Sequence, residues 1–169
     1  MVNETKSSEP AFEQLVGQLN YPMFVVTTRA SDRLAGCLVG FASQAGISPS
    51  RFFLGVSKSN HTHEVVQDAE YLAVHVLARK DIDLARLFGS ETGDEVDKFQ
   101  RCRWHEGPHG LPILDDAAAW CAGRIIRRID AGDHEGMLVE PFDGVTTTAA
   151  TGELVSFSDV RDLEPGHDA

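Results

Sequence analysis

The sequence predicts a mainly antiparallel β protein, a barrel or a sandwich, with a few short helices at its periphery. Most apolar residues fall in short runs rich in β-branched and aromatic side chains, which favour strands. The helical patterns between them are short and do not alternate with strands as a doubly wound parallel sheet requires. The 169 residues are enough for one domain with a sizeable core.

Seven segments have the composition of strands. They are residues 22–28, 34–43, 51–57, 71–77, 117–130, 134–145 and 152–158, of which the last is the weakest. The first two are expected to form a hairpin. Residues 44–50, rich in small and polar side chains, are predicted to be a loop.

Three segments have helical spacing, namely residues 11–19, 63–70 and 82–88. The first places four apolar side chains on one face: Phe12, Leu15, Val16 and Leu19. Thr62 is expected to cap the second helix and Asp81 the third, because both residue types accept hydrogen bonds from free N–H groups at a helix start.

The expected organisation is a single domain over residues 11–163 between two tails. Residues 1–10 are polar and read as a disordered N-terminal tail, and residues 164–169 form a C-terminal tail. Residues 89–110 are predicted to be a long polar loop within the domain.

Composition argues against several function classes. The net charge of −11 disfavours nucleic acid as a partner. No apolar run approaches the ~20 residues needed to span a membrane, and the N-terminus lacks a secretory signal pattern. The three cysteines, Cys37, Cys102 and Cys121, form no CxxC pair, which favours a reduced, cytoplasmic protein.

The stretch GVSKSNHTHE is the first candidate site. After a predicted strand it offers hydroxyls, an ammonium group and an amide before a helix: Ser57, Lys58, Ser59, Asn60 and Thr62. These groups suit a phosphate monoester. On composition alone, an ordinary solvated loop with a Thr cap is the better interpretation of this stretch, because Ser-rich loops are common.

Two further stretches are weaker when taken singly. In GFASQAGISP, small residues at a strand end allow close approach of a flat ligand. In GDH, His134 can donate a hydrogen bond or a proton near neutral pH, Asp133 can cap the turn, and Gly132 can supply a positive φ. Three arginines precede this turn, and we expect them to be able to hold one small anion: Arg124, Arg127 and Arg128.

Cys102, His105 and His109 have zinc-like spacing, but a fourth ligand is not evident, so no metal is expected. The dinucleotide fingerprint GxGxxG, the P-loop and the GxSxG elbow are all absent from the sequence.

In combination, these stretches resemble the flavin reductase family over residues 21–167. The resemblance is carried by AGCLVGFASQAGISPSRFFLGVSKSNHTHEVV, followed in order by YLAVHVL, DKF, LPIL, AAAWCAGRI and DAGDHEGMLVE. It implies the FMN-binding split barrel, an antiparallel Greek-key barrel with a few short peripheral helices.

The resemblance also implies roles for individual residues. The backbone around Gly40, Phe41, Ala42, Ser43 and Gln44 would face the isoalloxazine ring of the flavin. The phosphate would be held by Ser57, Lys58, Ser59, Asn60 and Thr62. Phe99 would close over the ring or the adenine side, and His134 would lie near the nicotinamide.

The implied activity is NAD(P)H-dependent reduction of FMN or FAD, by a homodimer that serves as the reductase component of a two-component monooxygenase. A non-catalytic flavin carrier or redox sensor stays open, as does a split barrel that binds pyridoxine phosphate, heme or deazaflavin. Three residues depart from the family pattern: Gly40 and Phe41 replace Ser or Thr, and His75 replaces Asn.

Overall fold

The computed structural model describes residues 9–90, 95–147 and 153–164, which form an antiparallel sheet surrounded by short helices. Seven strands make the main sheet: β1 (Phe24–Ala30), β2 (Arg33–Val39), β3 (Ala42–Ile47), β4 (Ser50–Ser57), β5 (Tyr71–Val76), β8 (Ala119–Asp130) and β9 (His134–Thr146). A small second sheet pairs β6 (Trp104–Glu106) with β7 (Pro112–Leu114).

The strands of the main sheet lie in the order β2-β1-β5-β8-β9-β4-β3. All their pairings are antiparallel, and β1 with β5 and β4 with β9 are distant in sequence. β2 also contacts β4, so the sheet curves round towards closure. The predicted mainly antiparallel fold is confirmed.

Within the described ranges, four short α-helices lie around the sheet: α1 (Glu9–Val16), α2 (His61–Gln67), α3 (Ile82–Ser90) and α4 (Phe157–Val160). The apolar face predicted for α1 does not pack on the core, since Phe12 is 64% and Leu15 is 56% exposed. None of the described helices has the length and apolar character needed to cross a membrane.

The core divides into two main apolar clusters. The first lies between the curved sheet and α2, and includes Val26, Leu54, Val65, Leu72 and Met137. The second fills the space under α3 and α4, and includes Met23, Leu77, Phe88, Phe99 and Leu114. Burial of this apolar surface is the main stabilising term of the fold.

The predicted strand over residues 34–43 and the loop after it are wrong in detail. β2 ends at Val39, and a new strand, β3, begins at Ala42 and pairs with β4. The backbone N–H and C=O groups of β4 find partners in β3, and this pairing outweighs the weak strand propensity of its small polar side chains. Because β3 is an edge strand, those side chains stay in solvent.

Three other local predictions need correction. The side chain of Asn60, not that of Thr62, caps α2 by accepting the Thr62 N–H at 2.8 Å. In place of the last predicted strand, isolated bridges at Leu154 and Ser156 precede α4. The predicted loop of residues 89–110 contains β6, and two 3₁₀ turns lie in it.

The predicted N-terminal tail, apart from its last two residues, and most of the C-terminal tail lie outside the described residues.

His75 is a buried residue that joins three strands. Its Nδ1–H donates to the Val25 carbonyl at 3.0 Å, and its Nε2 accepts the Leu114 N–H at 3.1 Å. Both ring nitrogens are therefore satisfied by the neutral imidazole. Burial lowers the pKa of His75 from 6.5 to about 4. His75 is thus a structural core residue.

We expect His75→Asn to change how stability depends on pH. In the wild type, the unfolded chain binds a proton near pH 6.5 but the folded chain only near pH 4. The free energy of unfolding is therefore highest above pH 6.5. As the pH falls to 4, protonation of His75 in the unfolded chain lowers that free energy by up to about 3 kcal/mol. The variant should be less stable at pH 7 by about 1–3 kcal/mol, with a shallower acid loss. Urea unfolding at several pH values measures both effects.

His109→Asn is the matched control, because His109 is exposed and Asn tolerates its positive φ of 53°. The control should keep the acid slope of the wild type. An unchanged slope in His75→Asn would contradict the assignment of that slope to His75.

Candidate functional site

The loop between β4 and α2 lies against the tip of the β8–β9 hairpin. Ser57, the last residue of β4, pairs with His134, the first residue of β9. The Lys58 N–H then donates to the Asp133 carbonyl at 2.9 Å. Two stretches that are far apart in sequence are thereby brought together, the predicted phosphate loop and the GDH turn.

A cavity of about 270 Å³ opens beside this junction. Its lining includes five of the residues singled out in the sequence: Gly40, Phe41, Ser57, Asn60 and His134. Tyr21 and Phe157, which stack with their ring centroids 5.0 Å apart, line another part of the wall. The cavity therefore combines aromatic walls with a few polar groups at one side, as small-molecule sites commonly do.

Phe41 and His134 face each other across Gly55. Their ring centroids are 5.0 Å apart and the planes are inclined by 56°. A Cβ on Gly55 would lie 3.6 Å from the Phe41 Cβ and 4.0 Å from the His134 Cβ. Glycine at this position leaves open the floor beneath the two rings, so a flat group can approach the backbone there.

His134 is oriented by its neighbour in the chain. Its Nδ1–H donates to the Asp133 carboxylate at 2.9 Å, which leaves Nε2 for a ligand. The hydrogen bond from His134 holds the pKa of Asp133 below its ordinary value. Gly132 has the predicted positive φ, at 90°. The prediction that Asp133 caps the turn is wrong, since Asp130 accepts the Gly132 N–H.

The phosphate loop presents hydroxyls and one ammonium group. The Ser57 and Ser59 hydroxyls lie 2.9 Å apart, and the Lys58 ammonium donates to Asp130 Oδ1 at 2.6 Å. That hydrogen bond is the main cause of a lowered pKa at Asp130. The donor set of the loop fits a phosphate group.

Thr62 lies behind this loop and not on its surface. The residue is buried, and its side chain forms a hydrogen bond with the Cys37 thiol, whose pKa is raised by burial. Its N–H is already held by Asn60. Thr62 therefore supports the loop from the core side.

The arginines before the turn have structural partners. Arg128 donates to the Val66 and Ala69 carbonyls at the end of α2, and to Glu135 at 3.2 Å. Arg124 pairs with Glu140 at 3.2 Å. These contacts give Arg124 and Arg128 structural roles, and the expected anion site stays a prediction.

Gly40 and the first residues of β3 have different surroundings. A Cβ on Gly40 would come within 2.6 Å of the Tyr21 ring, so packing requires glycine here. Ser43 is exposed, and its hydroxyl donates to the Gln44 carbonyl. Gln44 lines a separate apolar cavity that also includes Phe24. Of this stretch, the structure brings Gly40 and Phe41 to the His134 cavity.

Phe99 lies in the second core cluster. It is only 9% exposed and packs edge-on against Phe88 and Trp104. It lines a different cavity of about 470 Å³, together with His61 and Lys98. The structure does not bring its ring to the His134 cavity.

The histidines with zinc-like spacing point to separate partners. His105 contacts Asp115 at 2.7 Å, and His109 stacks on Tyr71 with 3.8 Å between ring centroids. Across the described part of the chain, no group of three or more His, Cys, Asp or Glu side chains is arranged to hold a metal ion.

Asp130 and Gly55 are not among the site residues predicted from the sequence. Asp130 reaches Lys58 only because of the register between β8 and β9, which sets where the hairpin tip lies. Gly55 matters because β3 and β9 flank it. An aspartate at a predicted strand end beside a Gly-Asp turn was the available signal for Asp130.

Known proteins with similar sequences are mostly described as flavin proteins. The chain is 29% identical over 153 residues to a high molecular weight rubredoxin of Moorella thermoacetica, covering 88% of this chain and 65% of that protein. It is 24% identical to the reductase component of a flavin-dependent trigonelline monooxygenase of Acinetobacter baylyi, covering 89% of this chain and 46% of that protein. The chain thus spans less than two thirds of these relatives.

Solved structures share the fold at lower identity. An NADH:FAD oxidoreductase of Streptomyces globisporus superposes with a TM-score of 0.79 at 23% identity, covering 94% of this chain and 95% of that one. A flavin reductase domain protein of Arthrobacter superposes with a TM-score of 0.77 at 21% identity, covering 88% of this chain and 89% of that one. The split-barrel fold is confirmed by these neighbours.

The family itself is shown by a match to its sequence model. That model, described as the flavin reductase like domain, matches residues 16–163, which is most of the chain. The chain therefore belongs to the flavin reductase family.

Proposed function

We propose that this protein is an NAD(P)H-dependent flavin reductase that transfers hydride from a nicotinamide to FMN or FAD. The observation that carries the proposal is the cavity lined by Phe41 and His134 and bordered by the Ser57–Asn60 loop. It combines an open glycine floor, an aromatic wall, an oriented imidazole and a phosphate-type donor set. Family membership supports the same activity.

In this proposal the flavin lies beside the start of β3 and the phosphate loop. The backbone at Gly40 and Phe41 faces the ring, and Ser57, Lys58 and Ser59 hold the phosphate. Asn60 and Thr62 keep the loop in shape through the cap of α2. Phe99 contributes core packing, because its ring is buried between Phe88 and Trp104.

The protein has little acid–base chemistry to perform in such a reaction. When bound, the nicotinamide supplies the hydride and the flavin accepts it. His134 lines the cavity and Asp133 holds its Nδ1, so Nε2 is the ring nitrogen left to orient the nicotinamide by one hydrogen bond. Phe41 and Tyr21 supply apolar surface that excludes water from the same space.

The activity is tested by NADH and NADPH oxidation at 340 nm, with FMN, FAD or no flavin added. The proposal predicts oxidation that depends on added flavin. A purified protein that is yellow with bound flavin, yet oxidises neither nicotinamide, would exclude the reductase and favour a carrier or sensor.

A carrier is the second candidate, because the chain also matches a protein named as a rubredoxin and diflavin flavoproteins of Nostoc. In those relatives it covers 65% and 23% of the protein, so a domain of this type occurs within longer chains. Flavin binding without nicotinamide oxidation is the result that would select this candidate.

The remaining proposals concern assembly, location and partner. Large apolar side chains are exposed at several places, and we assign them to a homodimer interface: Phe12, Leu15, Ile47, Phe142 and Val145. Three free cysteines agree with a cytoplasmic location. A relative named as a monooxygenase reductase component supports a flavin-dependent monooxygenase as the acceptor of reduced flavin. Light scattering of the purified protein tests the dimer.

We expect His134→Ala to lower the rate of hydride transfer while flavin still binds. The imidazole faces the nicotinamide in this proposal, so its loss misplaces the donor and slows reduction by about 10-fold to 100-fold. Stopped-flow reduction of bound flavin measures the rate, and flavin fluorescence measures binding. His105→Ala, an exposed histidine outside the cavity, is the control and should behave as the wild type. An unchanged reduction rate in His134→Ala would exclude the role.

We expect Lys58→Ala to weaken the binding of FMN more than that of riboflavin, because only FMN carries the phosphate. The loss should be about 3-fold to 10-fold for FMN, since Lys58 is partly exposed and its interactions are screened. Titration of flavin fluorescence measures both ligands. Lys80→Ala, also exposed, removes the same charge elsewhere and should change neither. Equal weakening of the two flavins would rule out Lys58 as a phosphate ligand.

A further inference from the structure

The one lysine of the phosphate loop already has a counter-anion within the protein. Lys58 donates to Asp130 Oδ1 at 2.6 Å, and no other Lys or Arg occurs in residues 57–62. The same Asp130 oxygen accepts the Gly132 N–H at 3.0 Å, so the turn fixes the carboxylate beside the ammonium. The hydrogen bond from Lys58 also favours the ionised form of Asp130 by lowering its pKa.

A phosphate that binds Lys58 would have to share it with this carboxylate. A terminal phosphate monoester carries about −1.5 to −2 charges at pH 7. It would meet one positive charge next to Asp130, with Asp133 one hydrogen bond from the Lys58 backbone. Repulsion between like charges opposes that approach, whereas uncharged riboflavin does not experience it.

We propose that Asp130 is a selectivity residue that weakens binding of a flavin's terminal phosphate monoester. Because of Asp130, FMN and flavins without the dianionic phosphate differ less in affinity than Lys58 alone would make them differ. The inference rests on the proposed function, because it assumes that the flavin phosphate lies at Lys58. Asp130, whose charge is opposite to that of Lys58, would thus set how strongly the phosphate binds.

Asp130→Asn tests the proposal, because the amide oxygen can still accept from Lys58 and from the Gly132 N–H. FMN and riboflavin are titrated separately by flavin fluorescence. FMN should bind about 3-fold to 10-fold more tightly to the variant, and riboflavin should be unchanged, because the exposed pair is screened by solvent. The gain should shrink at about 1 M salt, where the Debye length is only ~3 Å.

Asp143→Asn is the matched control, since it removes an exposed carboxylate elsewhere on β9 that also accepts a glycine N–H. It should leave both affinities unchanged. The proposal is overturned if Asp130→Asn binds FMN no better, if it tightens both flavins equally, or if Asp143→Asn gives the same gain. Failure of these arms while wild-type protein binds flavin contradicts the role of Asp130 alone. A wild type that binds no flavin overturns the proposed function as well.

Discussion

The candidate site depends on one stretch of backbone pairing, in which the end of β4 lies against the start of β9. Ser57 and His134 are partners in this ladder, and the Lys58 N–H continues it to the Asp133 carbonyl. Backbone hydrogen bonds fix distance and direction better than long side chains do. The backbone of the phosphate loop is therefore positioned beside the backbone that carries the His134 imidazole.

The pairing is reinforced from the opposite side of the hairpin. Arg128 reaches the last carbonyls of α2, where a positive charge is favoured, and also contacts Glu135. Glu135 in turn accepts from Gln67 at 2.7 Å and contacts His63 at 3.5 Å. Helix and hairpin are thus joined by a charged network of limited exposure. Of the three arginines before the turn, Arg128 is the one that takes part in this network.

Much of the fold could be predicted because its signals are local. The β-branched runs gave β1, β5, β8 and β9 within a few residues, and the Gly132 turn followed from its sequence. β3 was missed, because its small polar residues form a strand only when β4 offers a partner edge. Thr62 and Asn60 are both suitable cap residues by type, and only the tertiary contact of Thr62 with the buried Cys37 separates them.

Individual site residues could be predicted from the sequence, but the contacts between them could not. Ser57, Lys58 and His134 were selected by residue type and motif, whereas the Lys58–Asp130 contact needs the register of two strands. Phe99 shows the converse, since a motif position suggested a ligand role and the fold buries it between two aromatic rings. Motifs identify chemistry, and tertiary contacts decide which groups act together.

The most direct measurement is a crystal structure of the protein with FMN bound. Phosphate oxygens are expected at hydrogen-bond distance, about 3 Å, from Lys58 or the loop serines, with the ring beside Phe41 and His134. FMN bound in the cavity lined by Lys98 and Trp104, with the hairpin tip untouched, would contradict this expectation.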